Sequence, residues 1–356
     1  MDFLVFSRAD NLRVKLFQQA LAHLGMPSAK VCSYHDILDG KIPPVGDNVM
    51  IRLESPGRDF ELERRLIRLG GGPDVSLEIL SRGALRHPHC WFQGLTSLMV
   101  KVGKLFPKHA FLQKPADILQ MFHKPRCGQL LARHGIPVPP SLESFSSVDK
   151  LDAVLDRHNL QGAYLKLFCG SSASGIIAYD RRGFAFSTMQ PGGDGYYNSR
   201  RVHRYAGREA INEMIGYLRR EGLHAEGWIP KIRLGGQPSD LRVVVINGEP
   251  SHCVVRVGKS TFTNLILGGR REPLERLAAL TDLDPIMETC RKVGRVFGDS
   301  LYMGVDILVD REGSRHYVAE VNAFGDLLPD LLHHGEDTYT AEIRALWKKR
   351  SGICPL

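Results

Sequence analysis

Two strand-like stretches near the end of the chain carry side chains with oxygen donors. Asp306 lies in GVDILVD, and Glu320 and Asn322 lie in HYVAEVN, with the turn-like DREGSR between them. This pattern predicts a hairpin, and alternation along its second strand places Val318, Glu320 and Asn322 on one face. Two carboxylates and an amide are hard oxygen ligands of the kind that Mg²⁺ prefers. We therefore predict a metal site at Asp306, Glu320 and Asn322. A solvent-facing hairpin that binds nothing is the alternative.

A second group of residues could bind a phosphate. Lys166 lies in the strand-like YLKLF, and a loop of small residues follows it: Gly170, Ser171, Ser172, Ala173, Ser174 and Gly175. Small residues leave backbone N–H groups accessible to phosphate oxygens, and the lysine adds a positive charge. No GK[ST] opens a helix here, so the pattern is not a Walker A motif. A Gly/Ser hairpin loop with a solvated lysine is the alternative.

A third stretch, AEGWIPKIRLGGQPSDLRVVVINGE, combines an acidic residue, a tryptophan and a D-x-R on a strand. Glu226 and the backbone through Ile229 could meet the polar edge of a purine, while Trp228 packs beside it. Arg242 could direct its guanidinium group at a phosphate. The alternative is an exposed loop before an edge strand on which Asp240 and Arg242 pair with each other.

The elements that must position these residues alternate along the whole chain. DFLVFS and NVMIRL predict strands, each followed by a helical pattern, and residues 1–112 are therefore predicted to form an α/β domain. A mixed region of helices and strands, 113–228, follows. Residues 229–350 then consist mainly of strands around one helix, DPIMETCRKVGRVFG. Three domains with these boundaries are predicted.

Composition narrows the class of protein. Hydrophobic residues make up 43% and charged residues 24% of the 356 residues, which is ordinary for a soluble globular protein. No apolar run approaches the ~20 residues of a membrane span. The seven scattered cysteines include no CxxC pair, which favours free thiols in the cytoplasm over disulfides or structural zinc. The net charge of +8 favours an anionic ligand, but no nucleic-acid-binding module is present.

In this order the motifs resemble those of the ATP-grasp superfamily, over residues from about 114 to 330. The resemblance is closest to the branch of the ribosomal-protein glutamate ligases and the glutathione synthetase-like proteins. HKPRCGQLLARHGIPVPPS resembles the segment that opens the fold, with Lys124 kept and His123 where the family has Asp. RVGKSTFTNLILGG resembles the R…N…GG stretch of that branch and supplies Arg256 and Asn264.

The resemblance implies an α/β (α+β) architecture. Two α+β subdomains of an ATP-grasp fold would hold ATP between them, preceded by an N-terminal α/β domain. It also implies roles for the residues. Lys124 and Lys166 would hold the α- and β-phosphates, and the 170–175 loop would close over the β- and γ-phosphates. Glu226 and Ile229 would meet the adenine, and Lys231 stands where the family often has an acidic ribose contact.

The remaining implied roles concern the reaction. Arg242 and Arg256 would steady the transferred phosphoryl group, and Asp306, Glu320 and Asn322 would bind Mg²⁺, with Mn²⁺ as an alternative. The implied activity is that of a cytoplasmic carboxylate–amine ligase, which forms an acyl phosphate and releases ADP and phosphate. Its substrates would be ATP, a carboxylate and an amine acceptor, which could be an amino acid, a peptide or a protein terminus. A kinase acting on a hydroxyl and a non-catalytic ATP-binding protein are the alternatives. No nucleic-acid or membrane partner is expected, and a homodimer stays open.

Two further stretches remain ambiguous. Residues 189–207 predict a basic loop that either closes as a lid over an acidic acceptor or is simply exposed. Residues 86–95, RHPHCWFQGL, predict buried aromatic packing or a substrate-facing turn, with metal binding as a weaker alternative because their spacing matches no zinc pattern.

Overall fold

The computed structural model describes residues 1–170, 173–325, 328 and 330–351. Ser171 and Ser172, from the predicted phosphate loop, therefore lie outside the described residues.

The N-terminal part alternates strands and helices, as the sequence predicts. Its elements are β1 (Asp2–Phe6), α1 (Leu12–His23), β2 (Lys30–Cys32), α2 (Tyr34–Leu38), β3 (Val49–Leu53), α3 (Phe60–Leu69), α4 (Leu77–Ser81), α5 (Pro88–Leu105) and β4 (Ala110–Phe111). The strands form one parallel sheet in the order β2-β1-β3-β4. Consecutive residues of β1 from Phe3 to Phe6 are all buried, because helices cover both faces of such a sheet.

The middle part is built on an antiparallel sheet. Its elements are α6 (Pro115–Phe122), α7 (Lys124–Arg133), α8 (Val148–Arg157), β5 (Gly162–Leu167), β6 (Ile177–Asp180), β7 (Phe184–Gly192), β8 (Gly195–Ala206), α9 (Arg208–Glu221) and β9 (Leu223–Gly227). The strand order is β8-β7-β6-β5-β9. Helices α8 and α9 pack on one face through apolar residues such as Leu151 and Ile215, which leaves the other face of β5 and β9 for polar side chains.

The C-terminal part is a second, larger antiparallel sheet. Its elements are β10 (Arg233–Leu234), β11 (Gln237–Ile246), β12 (Glu249–Val257), a 3₁₀ turn (Leu265–Leu267), β13 (Arg270–Glu272), α10 (Leu274–Ala278), α11 (Asp284–Val296), β14 (Tyr302–Val309), β15 (His316–Asn322) and α12 (Thr338–Ser351). The order is β13-β12-β11-β14-β15, and β10 pairs with β11. Val243 and Val245 pack in the same core as Val293 of α11, whereas Val244 packs with Ile343 of α12, so both faces of β11 are covered.

A buried ion-paired arginine joins the first and last parts of the chain. Arg52 on β3 is 1% exposed; its Nε donates to Glu54 and its Nη1 donates to Glu342 on α12, both at 2.6 Å. Its guanidinium group also stacks over the rings of Phe17 and Tyr302. Removing one member of such a group would leave an uncompensated buried charge, so the cluster fixes how α12 lies against the N-terminal sheet.

Two stretches differ from what the sequence predicts. Residues 189–207 do not form a loop, because most of them belong to the hairpin of β7 and β8. Residues 86–95 are not a turn: from Pro88 onward they form the start of α5. The other alternative, buried aromatic packing, is confirmed, because Phe92 is buried in a cluster with Phe168. The break between α6 and α7 lies at His123 and not at Pro125, because a proline is tolerated in the first turn of a helix, where its missing N–H has no partner to lose.

None of the helices in the described residues has the length and apolar character that crossing a membrane requires. The boundaries of the three predicted domains stay a prediction. The three sheets nevertheless fall within the three predicted segments, with strands spanning 2–111, 162–227 and 233–322.

Candidate active site

A charged cleft lies between the middle sheet and the C-terminal sheet. Its cavity measures about 110 Å³. It is lined by Lys124, Tyr164, Lys166, Gly170, Ala173, Ser174, Ile176, Glu226, Lys231, Asp240, Arg256, Phe262, Thr263, Asn264, Asp306, Leu308, Ala319 and Glu320. Most of the residues predicted from separate motifs therefore meet in one place, which we call the charged cleft.

The middle sheet contributes a lysine and a carboxylate on neighbouring strands. Lys166 on β5 and Glu226 on β9 form an ion pair with Nζ and Oε2 2.7 Å apart. His224, two residues before Glu226 on the same strand face, hydrogen-bonds Glu226 Oε1 at 2.8 Å. Burial alone would raise the pKa of Glu226, but Lys166 and His224 outweigh it and lower that pKa to about 2. Glu226 is therefore ionised at neutral pH.

A second lysine crosses from the start of α7 to the C-terminal sheet. Lys124 Nζ donates to Glu320 on β15 and to the carbonyl of Gly170, the latter at 3.0 Å. Burial opposes the charged forms of both partners, but their mutual attraction outweighs it. The pKa of Lys124 is therefore raised and the pKa of Glu320 is lowered. Lys124 is thus held between the phosphate loop and a predicted metal ligand.

His123 stands at the start of α7, at the position where the resemblance to the ATP-grasp superfamily implies Asp. Its Nδ1 accepts a hydrogen bond from the backbone N–H of Arg126 at 3.4 Å, which is what the Asp side chain of an N-cap would do. Burial, with the nearby Arg126 charge, lowers the pKa of His123 and favours the neutral ring that this role requires. The departure from the family motif therefore preserves the helix cap.

The C-terminal sheet holds a chain of alternating charges. Asp240 on β11 accepts from Arg256 Nε at 2.8 Å and from Lys231 Nζ at 3.3 Å. Arg256 Nη2 also lies 3.0 Å from Asp306 on β14, and Arg242 Nη2 donates to the other Asp306 oxygen at 3.1 Å. Asp240 and Arg242 pair across to neighbouring strands, and no direct pair between them occurs among the described residues. Lys231, Asp240, Arg256 and Asp306 line one side of the charged cleft, and Arg242 lies behind Asp306.

The predicted metal ligands lie close together, but a bulge changes their surroundings. Asp306 pairs with Glu320, and the next residue, Ile307, pairs with Val318, so Ala319 is an extra residue on β15. The bulge reverses the side-chain alternation. Val318 therefore packs in the core with Val321, and the prediction that it shares a face with Glu320 is wrong.

The donors at this position suit a hard cation. The Asn322 Nδ2 atom is buried and has no hydrogen-bond partner among the described residues. Because Nδ2 carries N–H groups, Asn322 would bind a cation through its Oδ1 atom. The described residues contain no group of three or more His, Cys, Asp or Glu side chains placed to hold a metal. A divalent cation here would therefore depend on two carboxylates and the amide, supplemented by ligand oxygens, which is the way Mg²⁺ is usually bound.

The described part of the phosphate loop has the backbone conformation that its small residues allow. Gly170, Ala173 and Gly175 have φ values of 132°, 58° and 62°. Gly170 and Ser174 line the charged cleft, whereas Gly175 packs against Leu167 outside it. A hydrogen bond joins the loop to β7, since Thr188 Oγ1 donates to the Ala173 carbonyl at 2.7 Å.

Not every predicted residue lines the cleft. Trp228 packs on the ring of Tyr164 with centroids 5.4 Å apart, and Ile229 is buried beside it. Asn264 does line the cleft, and its carbonyl accepts from Leu267 and Gly269 in the turn that follows. Arg242 and Asn322 do not line the cleft. Arg242 bonds to Asp306, which does, and Asn322 lies two residues after Glu320 on β15.

Sequence reasoning missed three residues of this site. His224 and Tyr164 lie two positions before Glu226 and Lys166, so strand alternation could have placed them on the same faces. Thr263 donates to Asp240 and accepts from Lys231 Nζ at 2.8 Å. It lies in an irregular segment after β12, and no local pattern signals its position.

The fold is similar to that of solved ATP-grasp proteins over nearly the whole chain. The ATP-grasp ligase PsnB, complexed with a minimal precursor, is 16% identical with a TM-score of 0.57 over 98% of both chains. D-cycloserine synthetase DcsG is 13% identical with a TM-score of 0.59, covering 98% of this chain and 99% of DcsG. The macrocyclase MdnC, bound with precursor peptide MdnA from Microcystis aeruginosa MRC, is 12% identical with a TM-score of 0.57 over 99% and 100%. No protein-family model and no curated protein matches the chain.

These similarities show that the chain has the ATP-grasp fold. The resemblance drawn from the sequence motifs is confirmed at this level: the protein combines two α+β parts around a cleft with an N-terminal α/β part. The roles of the individual site residues stay predictions.

Proposed function

We propose that the protein is an ATP-dependent carboxylate–amine ligase whose reaction takes place in the charged cleft. The observation that carries this proposal is the meeting of Lys124, Lys166, Arg256, Asp306 and Glu320 between two sheets of an ATP-grasp fold. Two lysines and an arginine suit a polyphosphate, and the carboxylates beside them suit the cation that accompanies it. A buried charge cluster without such a ligand would add little to stability.

We assign the binding of the ATP phosphates to two lysines. Lys124 and Lys166 both point into the cleft beside Gly170, and each is now paired with a carboxylate, Glu320 and Glu226 respectively. When ATP binds, its phosphate oxygens would replace these carboxylates as the partners of the two lysines. Glu226 and the backbone of Ile229 would meet the adenine.

Mg²⁺, or Mn²⁺ in its place, would be held by Asp306, Glu320 and Asn322 and would offset the charge of the phosphates. PsnB has been solved with Mg and ADP, which supports the use of this cofactor pair. Arg242 and Arg256 currently hold Asp306 from two sides. These two guanidinium groups would offset the charge of the transferred phosphoryl group beside the cation.

The chemistry would proceed in two transfers. A substrate carboxylate oxygen attacks the γ-phosphorus of ATP, the bond to the β-phosphate oxygen breaks, and ADP and an acyl phosphate result. The nitrogen of an amine then attacks the acyl carbon, phosphate leaves with the bonding electron pair, and the amine loses a proton. Closure of the 170–175 loop would exclude water from the acyl phosphate.

The substrate class that we propose is a peptide. PsnB has been solved with precursor peptide PsnA2 and AMPPNP, and a Chryseobacterium gregarium RiPP-associated ATP-grasp ligase with ADP and a leader and core peptide. These neighbours share the fold of this chain over most of its length, which supports a peptide as donor or acceptor. We place the reaction in the cytoplasm, where ATP is available.

The test is to incubate the protein with Mg²⁺-ATP and pools of amino acids and peptides, and to measure ADP, phosphate and product masses. The proposal predicts ADP and phosphate in equal amounts and a product lighter than its two substrates by one water. Glu320→Gln should lower the turnover roughly 100-fold or more, whereas Glu312→Gln in the exposed β14–β15 turn should not change it. A phosphorylated product would show a kinase instead. Nucleotide binding without turnover in every pool would show a non-catalytic protein.

A further inference from the structure

We infer that a second cavity, on the far side of β9 from the phosphate loop, binds an extended acidic segment of a peptide. This outer cavity measures about 940 Å³ and is walled by α5, the start of α7, the end of α9, the start of β9 and residues 142–145. Its polar and aromatic lining includes His89, Phe92, His123, Arg126, Phe168, Arg219 and His224. The inference rests on the proposed function, because the peptide would be a substrate of the ligase.

The outer cavity is positively charged. Arg126 and Arg219 are exposed and form no ion pair with any residue that the structure describes. Glu143 is the one carboxylate among the described residues that line the cavity. It already accepts from Arg157 Nε and lies against His158 Nε2, each at 3.0 Å. Two arginines without acidic partners thus face the cavity, and carboxylates are the groups that complement them.

The histidines add hydrogen-bond donors beside the arginines. Because His123 Nδ1 accepts from the backbone of Arg126, its other nitrogen carries the proton and can donate to a ligand. His89 lies flat against the ring of Phe168, with centroids 4.5 Å apart, and this aromatic wall suits the apolar parts of side chains. The lining therefore offers charge, donors and apolar contact within one space.

An open strand edge at Leu223 favours a peptide over a small anion. The backbone groups of Gly222 and Trp228 bond to the two ends of the β5 region, on the inner side of β9. Those of Ala225 and Gly227 bond to Leu142 and Pro140, on the outer side of β9. By strand alternation Leu223 also directs its backbone groups outward. No outward backbone partner of Leu223 occurs in the described part of the chain, since the added segment 140–142 ends before it. An extended peptide could continue that segment as an added strand.

The outer cavity and the charged cleft are neighbours, linked by a third cavity that shares lining residues with both. This third cavity of about 300 Å³ shares His224 with the outer cavity, and Lys124, Glu226 and Glu320 with the cleft. His224 itself is buried and bonds Glu226 at 2.8 Å. A peptide bound at Leu223 would lie three residues along β9 from Glu226, which we assign to ATP binding.

The experiment measures binding of fluorescein-labelled hexaglutamate to the full chain by anisotropy, without nucleotide. Hexaglutamine serves as the neutral control peptide, and a hexaglutamate with alternate N-methylated amides serves as the control for strand pairing. The double variant Arg126→Gln/Arg219→Gln removes two charges from the cavity. The matched control Arg200→Gln/Arg201→Gln removes two exposed charges from β8.

We expect hexaglutamate to bind and hexaglutamine not to bind. We expect the Arg126/Arg219 variant to weaken binding roughly tenfold, and the Arg200/Arg201 variant to change it less than twofold. Equal weakening by both variants would overturn the inference, because net charge alone would explain it. Equal binding of the N-methylated peptide, or displacement of hexaglutamate by millimolar inorganic phosphate, would also overturn it in favour of a simple anion site. Because this binding measurement contains no nucleotide, its result does not depend on whether the protein turns over as a ligase.

Discussion

The charged cleft and the outer cavity are both lined by basic side chains, but they differ in whether those side chains are paired with carboxylates. In the cleft, Lys124, Lys166 and Arg256 are each bonded to a carboxylate within the protein. In the outer cavity, Arg126 and Arg219 have no acidic partner among the described residues. In the charged cleft these basic side chains are paired before any ligand binds, whereas the outer cavity still attracts an anion.

The difference teaches how each region can select its ligand. A ligand of the cleft must replace internal ion pairs, so only one that brings both negative charge and a balancing cation can enter without leaving carboxylates unpaired. Mg²⁺-ATP meets that condition. A ligand of the outer cavity needs only negative charge and enough length to contact both arginines, so its affinity should fall with added salt.

The largest effect should come from breaking the charge chain of the cleft. Asp240→Leu would remove the carboxylate that Lys231 contacts and one of the two carboxylates that Arg256 contacts, and both cations are buried. We expect the free energy of unfolding to fall by about 3–5 kcal/mol, measured by urea denaturation. Glu143→Leu, at the carboxylate of the outer cavity, should cost less than about 1 kcal/mol because its pairs are exposed. Equal losses in the two variants would erase the contrast between the two regions.

A smaller effect should appear as a pH dependence carried by Glu226. Burial raises its pKa, but Lys166 and His224 outweigh burial and lower it from 4.5 to about 2 in the folded protein. The stability that this group contributes is therefore present above pH 4.5 and is lost as the pH falls from 4.5 toward 2. We expect a loss of about 3 kcal/mol over that range, and urea denaturation of Glu226→Gln should show a shallower decline than the unchanged chain.

The exposed Glu312, in the β14–β15 turn, provides the control for that experiment. Glu312→Gln should leave the decline between pH 4.5 and pH 2 unchanged. If Glu226→Gln and Glu312→Gln gave the same pH profile, the ion pair of Glu226 with Lys166 would contribute nothing to stability.

The smallest effect concerns the helix that separates the two regions. His123 caps α7, with Lys124 of the cleft on one side and Arg126 of the outer cavity on the other. His123→Ala and His123→Asn both remove the ring from its contacts with Phe92 and Phe168, but only Asn can still cap the helix. We expect Asn to be the more stable of the two by about 0.5–1 kcal/mol in thermal or urea unfolding. Equal stability would mean that the cap contributes nothing.

Much of the fold was predictable from sequence because its signals are local. Alternating apolar runs and helical periodicity indicated β1, α1, β11, β14 and β15, and the order of the motifs indicated the ATP-grasp fold. The hairpin of β7 and β8 was missed although Gly193-Asp194 between two alternating stretches is a common two-residue turn. Its many glycines and arginines suggested a loop, and pairing with β6 overrode that tendency.

The site was predictable as a set of residue types but not as a set of contacts. Strand alternation predicts that Glu320 and Asn322 share a face, but the bulge at Ala319 depends on how β15 pairs with β14. The bonds of Asp240 to Lys231 and Thr263 join three separate segments, so no spacing in the sequence encodes them. The sequence does not indicate the outer cavity for the same reason, since its walls come from five separate stretches of the chain.

The central claim is that nucleotide binds in the charged cleft, and a binding measurement tests it most directly. Calorimetric titration with AMPPNP and Mg²⁺ should be carried out on the unchanged chain, on Lys166→Met and on Arg219→Met. Each variant removes one positive charge, one from the cleft and one from the outer cavity. We predict that Lys166→Met weakens binding at least roughly tenfold and that Arg219→Met changes it less than twofold. Strong weakening by Arg219→Met, with Lys166→Met unaffected, would contradict the account.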